Sequence, residues 1–335
     1  MNKFSICIPT YNRGSKALNQ VLTTLPLIDE DWEILVLNNC SSISLEKYAE
    51  IEKISKIDPR VKYIRHSENL GFHGNILSCL KLCNSNYIQI ISDEDFSNPL
   101  VVRDALKVLN EFPDVGLMRG SISAISGMQP RNSATYADNL WPSGREALGE
   151  FSLTTNYISG VIYNKFLLNQ HDIINKFESG LNSNPIIQGY AHMYLDILVA
   201  SVCKVMTTKE IVCIEGEEHL SNETSINSMS NNPAFSFGGR LEQIIAFRDA
   251  FREVCDKNQL NDLALLVYLY QRLIYKYIYL LKIDDSLHAH RKLDMRYLKE
   301  SLFNFCISAA HIPEFIEIQD KVHEIINEAF SKFIK

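Results

Sequence analysis

A mostly parallel sheet with helices on both faces, followed by a helical C-terminal region, is the α/β architecture this 335-residue sequence predicts. Three observations predict it. Short apolar runs alternate with amphipathic stretches through the first third. Each of the main runs stops at a polar cluster, as strands do at the binding edge of a parallel sheet. Beyond residue 240 the apolar residues recur only at helical spacing.

The elements follow in order. Phe4 to Pro9 is a short apolar run closed by proline, a buried-strand pattern. Ser15 can cap a helix with Ala17, Leu18, Val21, Leu22 and Leu25 on one face. Trp32 to Leu37 is a second strand, ending in Asn38-Asn39-Cys40-Ser41-Ser42. Val61 to Ile64 is a third. A helix from about Asn75 turns Ile76, Leu77, Leu80 and Cys83 inward. Tyr87 to Ile91 is a fourth strand and stops at Ser92-Asp93-Glu94-Asp95. Asn98-Pro99 then opens a helix, asparagine as cap and proline in the first turn. Val115 to Met118 reads as a strand and Gly120 to Trp141 as a long connection. Asn156 to Tyr163 reads as strand and turn, residues 190 to 203 as helix, and Glu210 to Ile214 as the last strand. Glu215 to Gly239 is Ser/Asn-rich and nearly free of large apolar groups, the composition of a mobile lid. After it, Leu266, Tyr270, Leu273, Tyr277 and Leu281 share a helical face, as do Ile318, Val322, Ile325, Ala329 and Phe333.

Composition excludes several classes. With 33 basic and 40 acidic residues the formal net charge is −7, which argues against nucleic-acid binding. No apolar run reaches the length of a membrane span. Met1-Asn2-Lys3 leads straight into a strand, so no signal peptide is expected. The eight cysteines form no CxxC pair and read as buried thiols of a cytoplasmic protein. There is no GxxxxGK[ST], no GxGxxG after a strand, no HExxH and no GxSxG.

Chemistry concentrates at the predicted strand ends. Three carboxylates after an apolar strand, Asp93, Glu94 and Asp95, are costly to gather without a cation. Hard ions such as Mg²⁺ and Mn²⁺ bind carboxylates together with substrate phosphates. Tyr11 offers a face for a base and Arg13 a charge for phosphate. Asn39 offers one donor and one acceptor to a base edge.

Four segments then carry a resemblance: ICIPTYNR (6–13), WEILVLNNCSS (32–42), NLGFHGNILSCL (69–80) and YIQIISDEDF (87–96). Together they resemble a family-2 glycosyltransferase with the Rossmann-like GT-A fold. The Ser-Asp-Glu-Asp variant, with NYISGVIYNK (156–165), is similar to the bacterial abequosyltransferase-type enzymes of O-antigen and capsule assembly. The resemblance implies a domain over 1–225, with a nucleotide-binding half 1–112 and an acceptor half 113–225. A C-terminal helical region, 226–335, follows. It implies that Pro9, Thr10, Tyr11 and Arg13 form the first nucleotide-binding loop and that Asn39 reads the base. Gly71 and Asn75 would run under the nucleotide, and Asp93, Glu94 and Asp95 would hold metal and diphosphate. His219 would complete the metal shell.

Two departures matter. Most members have Asp-Asp where this chain has Asn38-Asn39. An amide can donate to the bare N3 of cytosine, which favours a CDP-linked donor, with UDP, dTDP and GDP also compatible. The family's usual carboxylate base is also absent from Gly189 to Met193. His192 and Asp196, four apart and so on one helical face, remain as candidate bases. The resemblance implies a Mn²⁺- or Mg²⁺-dependent, inverting transfer to a saccharide acceptor, lipid-linked in abequosyltransferase-like enzymes. Weak peripheral contact at the inner face of the cytoplasmic membrane is then expected through the helix Leu263 to Lys282. Its candidate groups are Tyr268, Tyr270, Tyr275, Tyr277 and Tyr279, with Arg272, Lys276 and Lys282. The rivals are a sugar-nucleotide pyrophosphorylase, which lacks its glycine-rich loop here, and a catalytically dead binding subunit.

Overall fold

A computed structural model describes residues 2–125, 134–154, 157–216, 237–260, 262–287 and 295–333. The strands are β1 Asn2–Thr10, β2 Trp32–Asn38, β3 Val61–Arg65, β4 Ser85–Ile90, β5 Phe96–Ser97, β6 Val115–Ala124, β7 Asn139–Trp141, β8 Val161–Asn164 and β9 Lys204–Glu215. They form one sheet in the order β3-β2-β1-β4-β8-β6-β9-β5, with β7 also paired to β9. The β3-β2-β1-β4 block is parallel. β8 runs antiparallel between β4 and β6, so β6 points the same way as the block, and β9 is parallel to β6. The carboxyl ends of β1, β2 and β4 therefore share one edge. The register Thr10↔Asn38↔Arg65 puts the polar clusters after β1 and β2 side by side.

The helices are α1 Gly14–Thr24, α2 Leu45–Ile57, α3 Gly71–Leu82, α4 Pro99–Glu111, α5 Arg145–Phe151, α6 Lys165–Gln170, α7 Ile173–Ser183, α8 Ala191–Val202, α9 Phe237–Lys257, α10 Leu263–Leu287, α11 Met295–Ile307 and α12 Pro313–Phe333. The period-2 alternation of β1 sorts them. Phe4, Ile6 and Ile8 face α1, α2 and α4, whereas Cys7 faces α3 and the helices beyond. The C-terminal helices share that second core without a break: Tyr270, Leu273, Tyr277, Leu281 and Ala329 belong to the same cluster as Cys7 and Ile90.

Several boundaries differ from expectation. α3 starts at Gly71, one turn before Asn75, because Gly71 takes φ 71° and turns the chain into the helix. β9 starts at Lys204 rather than Glu210, since pairing with β6 and β7 carries its polar middle. The expected connection 120–141 contains the end of β6 and all of β7. The expected lid lies outside the described residues between 217 and 236, and His219 with it.

Hydrogen-bonded polar groups tie the opposite sheet edge. Glu33, fully buried in β2, is met by Ser5 Oγ at 2.5 Å, the Asn84 N–H at 3.0 Å, and Lys62 Nζ. Burial alone would raise its pKa, but the bonds from Lys62, Ser5 and Asn84 bring it below the ordinary 4.5. A carboxylate depressed in the fold contributes stability that is present above pH 4.5 and is lost as pH falls through the folded value. Glu33→Gln should therefore melt earlier than wild type at pH 7 by a few degrees, with the gap closing below pH 4. A gap unchanged between pH 7 and pH 3.5 would contradict this.

Candidate active site

Three loops converge at the carboxyl edge. The loop after β1 is fixed by Asn12, which takes φ 58°, a conformation asparagine tolerates better than most residues. Its Oδ1 accepts from the N–H groups of Ser42 and Ile43, at 2.8 and 3.3 Å, and its own N–H donates to Ser41 Oγ at 2.8 Å. The loops after β1 and β2 are thus one latched unit. Tyr48 from α2 supports it, its hydroxyl sharing a 2.9 Å bond with Thr10 Oγ1 and accepting the Arg13 N–H at 3.1 Å. Pro9 and Thr10 form the inner wall, and Tyr11 is left 42% exposed with its ring open to a ligand.

Asp93, Glu94 and Asp95 follow β4 and face this unit. Arg13 Nη1 lies 3.1 Å from Asp93 Oδ1 and 2.6 Å from Glu94 Oε2, and Lys16 Nζ lies 3.4 Å from the same Glu94 oxygen. Asp93 is 3% exposed and Asp95 1%. Burial raises Asp93, against the pull of Arg13 and a hydrogen bond from Thr10. Burial pushes Asp95 up to about 6, against bonds from Ser159, Tyr157 and the Gly216 N–H. The Ser159 hydroxyl donates to Asp95 Oδ2 at 2.6 Å, and the Gly216 N–H to Oδ1 at 3.1 Å. Gly216 is required here, because a Cβ would lie 1.6 Å from the Glu94 carbonyl oxygen.

These carboxylates fit a hard divalent cation. They are buried oxygen donors whose pKa values burial raises, and Asp93 Oδ1 has no hydrogen bond beyond its ion pair. Among the described residues no group of three or more His, Cys, Asp or Glu side chains is arranged to cage an ion. Asp93 and Asp95 would therefore hold it jointly with substrate oxygens, the usual habit of Mg²⁺ sites.

Other expected residues are placed differently. Asn39, 3% exposed, uses its amide on the loop before α3: Nδ2 donates to Asn69 Oδ1 at 2.9 Å and to Gly71 O at 3.1 Å, and Oδ1 accepts the Leu70 N–H at 2.9 Å. It shapes the loop and is not turned out to read a base, so the argument for a cytidine donor loses its footing. Asn75 is likewise internal, donating to Leu37 O at 3.1 Å and sharing a 3.2 Å bond with His66 Nε2. It pins α3 to the end of β2.

The two candidate bases also separate. Asp196 is buried in an ion pair with Arg119, Oδ2 to Nη2 at 2.7 Å, and accepts the Tyr163 hydroxyl on Oδ1 at 2.8 Å. Both of its oxygens are engaged inside the core, which corrects its assignment as a base. His192 sits in the first turn of α8, where it meets Phe72 of α3 edge-on at 6.1 Å and Tyr190 at 6.2 Å. Packing narrows the membrane-facing reading of α10. Tyr270 and Tyr277 are 1% exposed while Tyr268 and Tyr279 are 44% and 46% exposed, so the tyrosines divide between opposite faces. Burial, with repulsion from Arg119 and Arg272, lowers Lys276 to about 7, which weakens its charge at a lipid surface. Lys282 lies where no side chain is described. Among the described residues no helix is long and apolar enough to cross a membrane.

Sequence reasoning missed Ser159, Tyr157 and Gly216, all of which close around Asp95, and the buried Glu215 beside them. The signal was present only in part: Tyr157 and Ser159 lie in the NYISG stretch, but nothing local says that β9 ends beside the loop after β4.

The family model described as Glycosyl transferase family 2 matches residues 5–171. An uncharacterised glycosyltransferase of Rickettsia bellii is 27% identical over 146 residues, 42% of this chain and 20% of that protein. An Escherichia coli protein provisionally described as the colanic acid biosynthesis glycosyl transferase WcaA is 27% identical over 95 residues, 28% of this chain and 33% of that protein. The matched segments thus span a third or less of these relatives. Among solved structures, S. aureus TarS 1–349 in complex with UDP superposes with a TM-score of 0.60 at 13% identity, covering 99% of this chain and 89% of that one. The same protein with UDP-GlcNAc gives 0.57 at 14% identity, covering 98% and 89%. At these identities the likeness speaks to the fold alone, a GT-A sheet with a helical C-terminal region. Residues 5–171 of this chain, which include the three converging loops and the buried carboxylates, thus match glycosyl transferase family 2.

Proposed function

We propose that the protein transfers a sugar from a nucleotide-diphospho-sugar to a saccharide acceptor, with a divalent cation and with inversion at the anomeric carbon. One observation carries the reading: Asp93 and Asp95 are buried carboxylates at the end of β4, Asp93 is ion-paired to Arg13, and Asp93 Oδ1 has no hydrogen bond beyond that pair. Mn²⁺ or Mg²⁺ bound there supplies charge that stabilises the departing nucleoside diphosphate. Arg13 and Lys16 now rest on Asp93 and Glu94; donor binding would exchange those carboxylates for diphosphate oxygens. Tyr11 stacks on the base, and Thr10 lines the ribose side.

His192 is the group we assign as base. It stands in the first turn of α8, and an imidazole is a competent proton acceptor near neutral pH. The acceptor hydroxyl gives that proton to His192 as its oxygen attacks the anomeric carbon opposite the leaving oxygen. A single displacement needs no covalent sugar–protein intermediate. The half-exposed Phe72 ring beside His192 then forms part of the acceptor entrance.

TarS, the fold neighbour, is solved with UDP and with UDP-GlcNAc, so uridine donors head the candidates. The colanic acid relative supports an acceptor in extracellular polysaccharide assembly, of the O-antigen or capsule kind. Any membrane contact through a lipid-linked acceptor would have to use a surface other than the buried side of α10.

A thermal-shift screen of UDP, CDP, GDP and dTDP with Mn²⁺, Mg²⁺ or EDTA tests the reading. Ligand at about 100 times its Kd stabilises by about 2.7 kcal/mol, several degrees in Tm. Stabilisation by one nucleotide that vanishes in EDTA is expected. No shift with any of the four, or equal shifts in EDTA, would sink the metal-assisted donor site.

A further inference from the structure

The C-terminal region touches the proposed base through a contact chain that runs over the half-buried Tyr190. Tyr190 ends the 3-10 turn Pro185–Tyr190 and immediately precedes α8, so its ring abuts the first turn that carries His192. From α9, Arg240 reaches this turn while only 3% exposed. Its Nη1 donates to the Tyr190 hydroxyl at 2.9 Å and to Gln243 Oε1 at 3.2 Å, and its guanidinium carbon lies 5.7 Å from the Tyr190 ring centroid. Gln243, 2% exposed, lies beside Gly189 of the same turn. Tyr190 in turn meets the His192 ring edge-on, the centroids 6.2 Å apart and the planes at 69°.

A guanidinium is planar, permanently charged and costly to bury, so its hydrogen bonds and its place against the aromatic ring together fix one orientation of Tyr190. A ring held in one orientation limits the orientations of any ring packed edge-on against it. In-line transfer tolerates little error, since an ångström of misplacement can cost about 100-fold in rate. We propose that Arg240 is a positioning residue: α9 reaches back from the C-terminal region, fixes Tyr190, and through it sets the orientation of the His192 imidazole. This rests on the reading of His192 as the base.

The test uses the full chain labelled with ¹⁵N-histidine and no ligand. The His192 ring resonances are assigned by their loss in His192→Gln. Wild type should give one sharp set, from a single ring orientation. Arg240→Met should broaden or split that set, Arg240→Lys should partly restore it, and Tyr190→Phe should perturb it. Tyr190→Phe removes one hydroxyl only, so it carries the test if Arg240→Met fails to fold. In turnover of a sugar donor that carries the nucleotide identified by the screen, Arg240→Met should lower kcat about tenfold with the donor KM within twofold. The Arg240→Met/Tyr190→Phe double variant should be no slower than the slower single one. Unchanged His192 resonances in both single variants, or a loss confined to donor KM, overturns the positioning role. Full kcat in His192→Gln overturns the base assignment instead, and the two failures are read in separate measurements.

Discussion

Asp95→Asn abolishes sugar transfer and, in the ligand-free protein at pH 7, raises the melting temperature. The first effect follows from charge. A bound cation supplies several kcal/mol to the departing diphosphate, so loss of a ligand should cost at least about 100-fold in kcat. Excess Mn²⁺ should restore little, because the amide keeps the shape and removes the charge. The second effect follows from burial. Asp95 is raised from 3.8 to about 6 because it is desolvated, with the neighbouring Glu94 adding to the shift. A carboxylate raised in the fold carries a penalty that is fully present above the folded value and fades as pH falls toward 3.8. Two units correspond to roughly 3 kcal/mol at most. Rearranged bonds to Ser159 and the Gly216 N–H offset part of this, leaving a gain of about 1 kcal/mol or a few degrees in Tm. The gain should be largest near pH 7.5 and shrink toward pH 4.5. Calorimetry at the two pH values and a transfer assay decide the matter. An Asp95→Asn protein that transfers at the wild-type rate, or that melts lower at pH 7.5 than wild type, would contradict it.

That prediction shows what the sequence could and could not reveal. The alternation of apolar run and polar cluster made β1, β2 and β4 legible, and with them the edge holding Thr10, Arg13, Asp93 and Asp95. Local pattern suffices there, since each strand in a parallel block is a self-contained apolar run. The same pattern exposed the core faces of α10 and α12, because Tyr270, Leu273 and Tyr277 recur at helical spacing whatever they pack against. Pairings between distant segments were illegible. Nothing in residues 204–216 announces that β9 lies beside β6 and ends over the Glu94 carbonyl, so Gly216 and Glu215 went unseen. Side-chain amides misled for a different reason. Asn39 carries a donor and an acceptor wherever it sits, and only the structure shows both turned to the loop at Asn69 to Gly71. Asp196 misled through helical spacing alone: four residues from His192 places it on the same face, but one turn deeper, where Arg119 and Tyr163 receive it.

Arg119→Met should destabilise the protein by about 3 to 5 kcal/mol, the cost of leaving a buried charge without its partner. Arg119 is 2% exposed. It bonds Asp196 at 2.7 Å and Thr154 Oγ1 at 2.7 Å, and it lies 3.8 Å from the Phe151 ring centroid, so the variant loses packing as well as charge. Burial already raises Asp196 against the pull of Arg119 and the bonds from Tyr163 and Arg119. Without Arg119 its pKa climbs further, and protonation limits the damage at low pH. The destabilisation should therefore be smaller at pH 5 than at pH 8. Lys276, held near 7 by burial and then by repulsion from Arg119 and Arg272, can charge more readily once Arg119 is gone, which favours the lower end of the range. Replacing both partners, as Arg119→Met with Asp196→Leu, should cost less than the sum of the single changes, because no charge is then stranded. Denaturant melts of the four proteins give the cycle. Kinetics on the folded Asp196→Asn variant give the functional half of the test. A kcat within about threefold of wild type is expected of a core ion pair, whereas a loss of 100-fold or more in a protein that melts normally would return Asp196 to the role of base.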